Sequence, residues 1–279
     1  MRGHVWTDVA CLDDVVPDGR VTPLEGLAIV VAGVGAGTIN TMVGSGTLIT
    51  FPTLLALGYP PVVANVANTV GLTPGSLTAT WGYRRELRTQ RRRLVRLGTA
   101  SVVGGLVGGL LLLTLPEEAF RAIVPVLIGL ALVLVVLQPR LSARTARRRE
   151  REHADTGKVR RPDGGPLLLF GIAGTGVYGG YFGAAQGVLL LGLMGVALDA
   201  DLQTLNGIKN VLTGLVNGTA AVLFVAVADV DWAVAGLIAI GAFLGGLLGS
   251  RIGRRLSPAV LRGVIVVVGI AAIIRVLTS

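Results

Sequence analysis

The sequence predicts an all-α integral membrane protein: two repeats of about five apolar segments each, inverted relative to one another, with a broken helix in each repeat. Three observations predict it. Hydrophobic side chains make up 52% of the 279 residues and charged ones 15%, with a mean hydropathy of +0.73, far more apolar than a soluble core of this size requires. The chain matches itself at an offset of 141 residues. In each copy, a glycine-rich interruption is followed by an apolar segment of about a dozen residues, too short to span ~30 Å of hydrocarbon as a full helix.

Residues 1–23 have no apolar core and no cleavage site, and are expected to be a polar tail and not a signal peptide. The first repeat, 24–137, reads as apolar segments near 24–43, 47–57, 61–82, 94–115 and 119–137. Leu97 to Leu115 and Ala122 to Leu137 carry no charge at all. Residues 138–165 form a polar, Arg-rich linker. The second repeat, 166–279, reads as segments near 166–183, 187–198, 204–226, 233–250 and 259–277. The offset lays Val102–Val136 on Phe243–Leu277 without a gap, matching Gly104, Gly105 and Gly108 to Gly245, Gly246 and Gly249. It also pairs Asn65 with Asn206 and "VGSGTLITFP" with "AAQGVLLLGL". The Gly104/Gly108 and Gly245/Gly249 spacings suit close helix packing.

Most basic residues fall in three clusters: Arg84 to Arg96, Arg140 to Arg161, and Arg251, Arg254, Arg255 and Arg262. Basic loops favour the cytoplasmic side, so these clusters are expected inside. The acidic spots at Asp8 to Asp18, Glu117-Glu118, and Asp229 with Asp231 are then expected outside. Counting each short segment as a crossing arm gives five crossings per repeat, opposite orientations, and every cluster on its expected side. Treating the short segments as re-entrant gives four crossings and parallel repeats, but leaves the third arginine cluster outside. The inverted arrangement is therefore favoured.

The formal net charge of +9 could suggest a nucleic-acid partner, but its distribution between apolar segments is that of a topology signal and anionic-lipid contact, so no nucleic acid is expected. With only Cys11, His4 and His153 available, no disulfide framework, metal site or Cys/His nucleophile can be assembled, and no cofactor is expected. A membrane-embedded enzyme would need acid/base or metal groups at membrane depth, and the carboxylates sit in expected loops or at segment ends. A purely structural or signalling protein is the remaining class, and it gives the breaks no role.

Broken helices at matching places in two inverted repeats are the pointer to a secondary transporter with a site near the membrane midplane. Helices starting after the breaks, at Thr47 and Val188, offer unpaired N–H groups and a partial positive charge to an anion. Downstream, Asn206, Asn210, Thr213 and Asn217 share one helical face, matched in the first repeat by Asn65, Thr69, Leu72 and Ser76. Lys209 is a basic residue well inside an apolar segment, where a charge costs about 2.5–3.5 kcal/mol, and its counterpart Asn68 is neutral. Positive charge, amides and helix starts together suit a small oxyanion. The other readings are that Gly-Ser-Gly serves close packing, that the asparagines join helices, and that Lys209 snorkels to the interface.

The stretch "VGSGTLITFPTLLALGYPPVVANVANTVGLTPGSLTATWGYR" resembles the first repeat of the TauE/SafE sulfite-exporter family, with its glycine-rich break, short helix, Gly-Tyr/Xaa-Pro turn and following Ala/Asn/Thr-rich helix. "GVYGGYFGAAQGVLLLGLMG" and "GAFLGGLLGSRIGRRLSP" resemble the matching parts of its second repeat, and the likeness covers about residues 24 to 277. The resemblance implies a permease of the bacterial cytoplasmic (inner) membrane that moves sulfite, sulfonates or related small sulfur-containing anions, commonly outward. Carried over by position, Gly44, Ser45, Gly46, Gly183, Gln186 and Gly187 would line the site. Together with Thr47, Asn65, Asn68, Thr69, Asn206, Lys209 and Asn210 they form the expected substrate-binding set. Ser45 interrupts the family's run of glycines, and with Gln186 it adds hydrogen-bonding groups where the pattern often has none. A carrier or channel for another small anion, such as a carboxylate, is the alternative. Membrane lipids are expected partners, and a homo-oligomer is left open.

Overall fold

The computed structural model describes residues 21–156, 164–252 and 258–278, and among these it is helical with no strand. Most of the polar tail, part of the linker, and Arg254 and Arg255 lie outside the described residues. The elements are α1 (Pro23–Met42), α2 (Thr47–Ala56), α3 (Pro61–Gly82), α4 (Arg84–Leu87), α5 (Arg91–Thr114), α6 (Glu117–Thr156), α7 (Pro166–Tyr181), α8 (Gln186–Ala197), α9 (Leu202–Val227), α10 (Trp232–Ile252) and α11 (Pro258–Thr278). Shifted by 141, the first repeat's α1, α2, α3, α5 and α6 fall on α7, α8, α9, α10 and α11.

Local chemistry sets the ends. Thr22 and Glu25 cap α1 reciprocally: the Glu25 amide donates to Thr22 Oγ1 (3.3 Å) and the Thr22 amide to Glu25 Oε2 (2.9 Å). Asp201 caps α9, accepting from the amides of Gln203 (2.9 Å) and Thr204 (3.0 Å) and from the Thr204 hydroxyl (2.6 Å). Pro23, Pro61 and Pro166 occupy first turns, where no amide is needed. Two features differ from the sequence expectation. The one-turn helix α4 follows α3, and α6 continues to Thr156 instead of ending near 137, because Ala, Arg, Glu and Leu in that stretch are good helix formers.

By length and composition, α1, α5, residues Glu117–Arg140 of α6, α9 and Trp232–Arg251 of α10 are able to cross a membrane. α3 has 22 residues but carries Asn65, Asn68, Thr69, Thr73, Ser76 and Thr78 and is less apolar. α2 and α8, with 10 and 12 residues, reach only about 15–18 Å at the usual rise. Large apolar side chains, including Leu27, Val103, Val126, Phe170, Val222 and Ile240, point outward and are exposed, while Phe51, Phe120, Phe182 and Phe224 are buried. This is an all-α, multi-pass membrane protein.

The repeats are interwoven. α1 packs on α10 and α7 on α5, so the first helix of each repeat lies against the fourth segment of the other. Glycines permit this. A Cβ at Gly241 would lie 2.3 Å from Val30 O, one at Gly245 2.2 Å from Val34 O, and one at Gly249 2.8 Å from Thr38 O. On the other side, a Cβ at Gly104 would lie 2.3 Å from Ala173 O and one at Gly108 2.1 Å from Val177 O. Both spacings singled out in the sequence thus serve packing. Because the contacts advance together in steps of four, α1 runs alongside α10 in the same direction, and α5 alongside α7. α3 joins the first pair, with Gly71 against Ala235 O and Gly75 against Ala242 O, again in the same sense. Between the equivalent helices α3 and α9 the sense reverses: Gly214 meets Ser76, while Gly207 meets Tyr83 just beyond α3.

Two outcomes are expected from this packing. Gly108→Val should lower stability by about 1–3 kcal/mol through overpacking, read as a fall in melting temperature in detergent. Asp201→Ala should cost about 1 kcal/mol through the lost cap. The hydrogen bonds from Thr204 hold the Asp201 carboxyl below its ordinary range. Its stabilising contribution is therefore complete above that ordinary range and fades as pH falls through the lowered folded value, so the wild-type–variant difference in melting temperature should shrink on acidification.

Candidate functional site

The first break lies between α1 and α2. After Met42, Gly44 takes φ +83°, and α2 begins at Thr47 with Gly46 at its N-cap. The second lies between α7 and α8, with Gly183 at φ +80° and Ala185, the N-cap of α8, at φ +59°. Positions 44 and 185 are related by the 141 offset, so both repeats turn left-handed at the same place. Ala185 is the only non-glycine with positive φ among the described residues, a conformation that costs a Cβ-bearing residue roughly 1 kcal/mol.

The two breaks touch. The Gly187 amide donates to Gly44 O (3.0 Å), and a Cβ on either glycine would lie 2.4 Å from the other's Cα. Only glycine on both sides allows this approach. At the same centre a Cβ on Gly183 would lie 3.7 Å from Thr47 Oγ1, and Asn68 Nδ2 donates to Thr47 Oγ1 (3.3 Å). Thr50 Oγ1 donates to Asn68 Oδ1. The amides of Leu48 and Ile49 are taken by Ser45 O (3.1 Å) and Gly46 O (2.9 Å), which tightens the first turn of α2. Those two amides, which the sequence offers to an anion, are thus occupied locally, and so is that of Val188, taken by Ala185 O (3.0 Å) in a helix that starts at Gln186 and not at Val188.

The outgoing ends of α1 and α7 are closed by the other repeat. Lys209 Nζ donates to Asn40 O (3.0 Å) and Thr41 O (2.9 Å), and Asn210 Nδ2 reaches Thr41 O (3.4 Å). At the equivalent end of α7, Asn65 Nδ2 donates to Tyr181 O (2.9 Å). Lys209 is fully buried and does not reach the interface; its amino group lies against the carbonyl end of α1. Asn206 is buried on the same face of α9. Thr69 is buried beside Asn68, but no hydrogen bond among the described residues ties its side chain to the breaks.

Several buried polar atoms have no protein partner among the described residues: Ser45 Oγ and both amide atoms of Gln186 at the breaks, Asn65 Oδ1 on α3, and Asn206 Oδ1 and Thr213 Oγ1 on α9. Ser45 and Gln186 are 1% and 0% exposed. Each such group left without a bond costs about 1–3 kcal/mol, so a fold retains them where something else supplies the partner. Gln186 lies against Gly179, where a Cβ would be 2.4 Å from its amide carbon. An aromatic group borders the breaks: Phe182 packs edge-on to Phe51 at 5.2 Å and to Phe120 at 6.2 Å.

The residues brought together are therefore Gly44, Ser45, Gly46, Thr47, Asn68, Gly183, Gln186 and Gly187, with Asn65, Lys209 and Asn210 bonded to the two helix ends; Thr69 and Asn206 are buried on α3 and α9 without such a bond among the described residues. Sequence reasoning missed Thr50, one turn after Thr47 on the same face, and Tyr178, whose hydroxyl donates to Ala184 O at 2.5 Å and braces the second break. For Thr50 the three-residue spacing was the available signal.

The family described as Sulfite exporter TauE/SafE matches residues 29–276. The chain belongs to the TauE/SafE family. Among its relatives, the probable membrane transporter protein YfcA of Escherichia coli strain K12 is 29% identical over 241 residues, covering 84% of this chain and 82% of that one. The probable membrane transporter protein ORF9 of a Sinorhizobium species is 28% identical over 245 residues, covering 88% and 89%. No solved structure matches the chain. This TauE/SafE chain is accordingly a membrane transporter by family, and neither relative's name specifies a cargo.

If Gln186 is held for a ligand and not for the fold, Gln186→Leu should leave melting temperature unchanged or raise it, because two unpartnered polar atoms disappear, while anion binding weakens about tenfold or more. A destabilised leucine variant would reassign the amide to structure.

Proposed function

We propose that the protein is a secondary transporter, working as an exporter, for sulfite, sulfonates or related small sulfur oxyanions, by alternating access around the meeting point of the two breaks. The observation that carries this is the set of buried, unpartnered donors, Ser45 Oγ and the Gln186 amide, where two interrupted helices touch. A tetrahedral or pyramidal oxyanion presents several acceptor oxygens, and hydroxyl and amide donors answer them at a site sealed from water. Lys209 adds a net positive charge. The family description supports a sulfur oxyanion as cargo.

We further infer that the repeats are inverted in the membrane, with five crossings each and the arginine clusters inside. The same-sense packing of α1, α3 and α10, the same-sense packing of α5 and α7, and the opposed sense of α3 and α9 support it. A re-entrant α2 would set α1 and α3 in opposite directions. The moving bodies are then composites: α1 and α3 with α10 on one side, α7 and α9 with α5 on the other. The exposed apolar side chains of α5, α6 and α10 face lipid chains, and the membrane is the bacterial cytoplasmic membrane.

In proteoliposomes, sulfite or a small sulfonate should be taken up faster than acetate or another carboxylate. Clear carboxylate flux with indifference to all sulfur anions would transfer the site to that alternative. In a Cys11→Ser background, Gln90→Cys and Val230→Cys should be labelled by an impermeant reagent from opposite sides of the membrane; labelling from one side would refute the inverted arrangement.

A further inference from the structure

Lys209 is placed as a coordinated metal cation would be. Its ammonium sits on Asn40 O at 3.0 Å and Thr41 O at 2.9 Å, the last carbonyls of an interrupted helix, with the Asn210 amide beside it. Among the described residues no carboxylate bonds to it, and its side chain is wholly buried. Unwound carbonyls and half-helix C-termini are the groups with which transporters hold a coupling Na⁺. Hydrogen bonding alone does not require a charge here. The equivalent end of α7 is closed by a neutral amide, Asn65 Nδ2 on Tyr181 O, and Asn68, the counterpart of Lys209, turns to Thr47 instead. The charge is therefore an addition to what capping needs, introduced on one side of the pseudo-twofold only.

We propose that Lys209 is a tethered cation that occupies, in this chain, the site of a co-transported monovalent cation, so that the anion moves without Na⁺ or K⁺. The proposal rests on the transport reading for its consequence, and on the Asn40–Thr41–Lys209 geometry for the site itself. Removing the side chain while leaving its space should expose a cation site of two helix-end carbonyls, with the unpartnered Asn206 Oδ1 one turn away on α9. Filling the space with an uncharged chain should not.

The test compares wild type, Lys209→Ala and Lys209→Met in chloride salts of Na⁺, K⁺, methylammonium and choline at one ionic strength. Thermal unfolding of the detergent-solubilised protein is read first. Lys209→Ala should melt several degrees higher in Na⁺, K⁺ or methylammonium than in choline, as expected for a ligand that binds the folded state, while wild type and Lys209→Met should not respond. A Lys209→Ala protein that melts alike in all four salts would overturn the proposal. Wild-type anion flux into liposomes should be equal in Na⁺, K⁺ and choline, and should fall about tenfold or more in Lys209→Met, the size of losing bonds to a charged group. Wild-type flux that requires Na⁺ or K⁺ would also overturn it, and that measurement decides the matter if Lys209→Ala gives no folded protein in any salt. Absence of flux for every anion would sink the transport reading, while the melting comparison would still report on the cation site.

Discussion

A polypeptide that interrupts its helices at membrane depth has no water to repair the exposed amides and carbonyls, so the protein must supply every partner itself. That requirement organises this molecule. The first break is closed at its carbonyl end by Lys209 and Asn210 of α9, the second by Asn65 of α3, and the two are joined by the bond from the Gly187 amide to Gly44 O. In each case the third helix of one repeat completes the interrupted helix of the other. Neither break is fully satisfied by its own repeat, since the carbonyl ends of α1 and α7 are closed from the other one, and a polar centre is built where the breaks meet.

Bringing the breaks together demands that helices from different repeats approach closely, and the glycine rows of α5 and α10 provide this. Val34 O and Val177 O occupy the space a Cβ would take at Gly245 and Gly108. Without a hydrophobic force between apolar helices in lipid, such close backbone contact is what holds them, assisted by bonds such as Thr38 Oγ1 to Gly245 O (3.1 Å) and Thr78 Oγ1 to Phe243 O (3.3 Å). The sequence repeat is thus not the packing unit. Each composite bundle takes helices from both halves of the chain, and the polar centre lies between the bundles.

At that centre the fold leaves donors without partners. Ser45 and Gln186 occupy equivalent places in the two repeats, and burying them unpaired works against stability. A transporter site has this character, since groups satisfied within the protein would have to be broken away before a ligand could bind. Lys209 and Asn68 are equivalent positions that differ in chemistry and in partner, the one bonding to the end of α1 and the other to Thr47.

The segments and the breaks are legible in the chain alone. Hydropathy and the 141-residue offset located the ten apolar segments to within a few residues, apart from the far end of α6, because helix length and apolarity are imposed by the bilayer and are local properties of the chain. The glycines at 44 and 183 and the polar face of α9 were equally legible, since positive φ and helical spacing each leave a residue-level mark. What tertiary structure alone decided was pairing. Nothing in the sequence says that Gly44 faces Gly187, that Lys209 turns to the end of α1 instead of to the interface, or that α1 packs on α10. Contacts between residues more than 140 apart depend on how the helices fit together, and a side chain such as Lys209 takes its role from the carbonyls it meets.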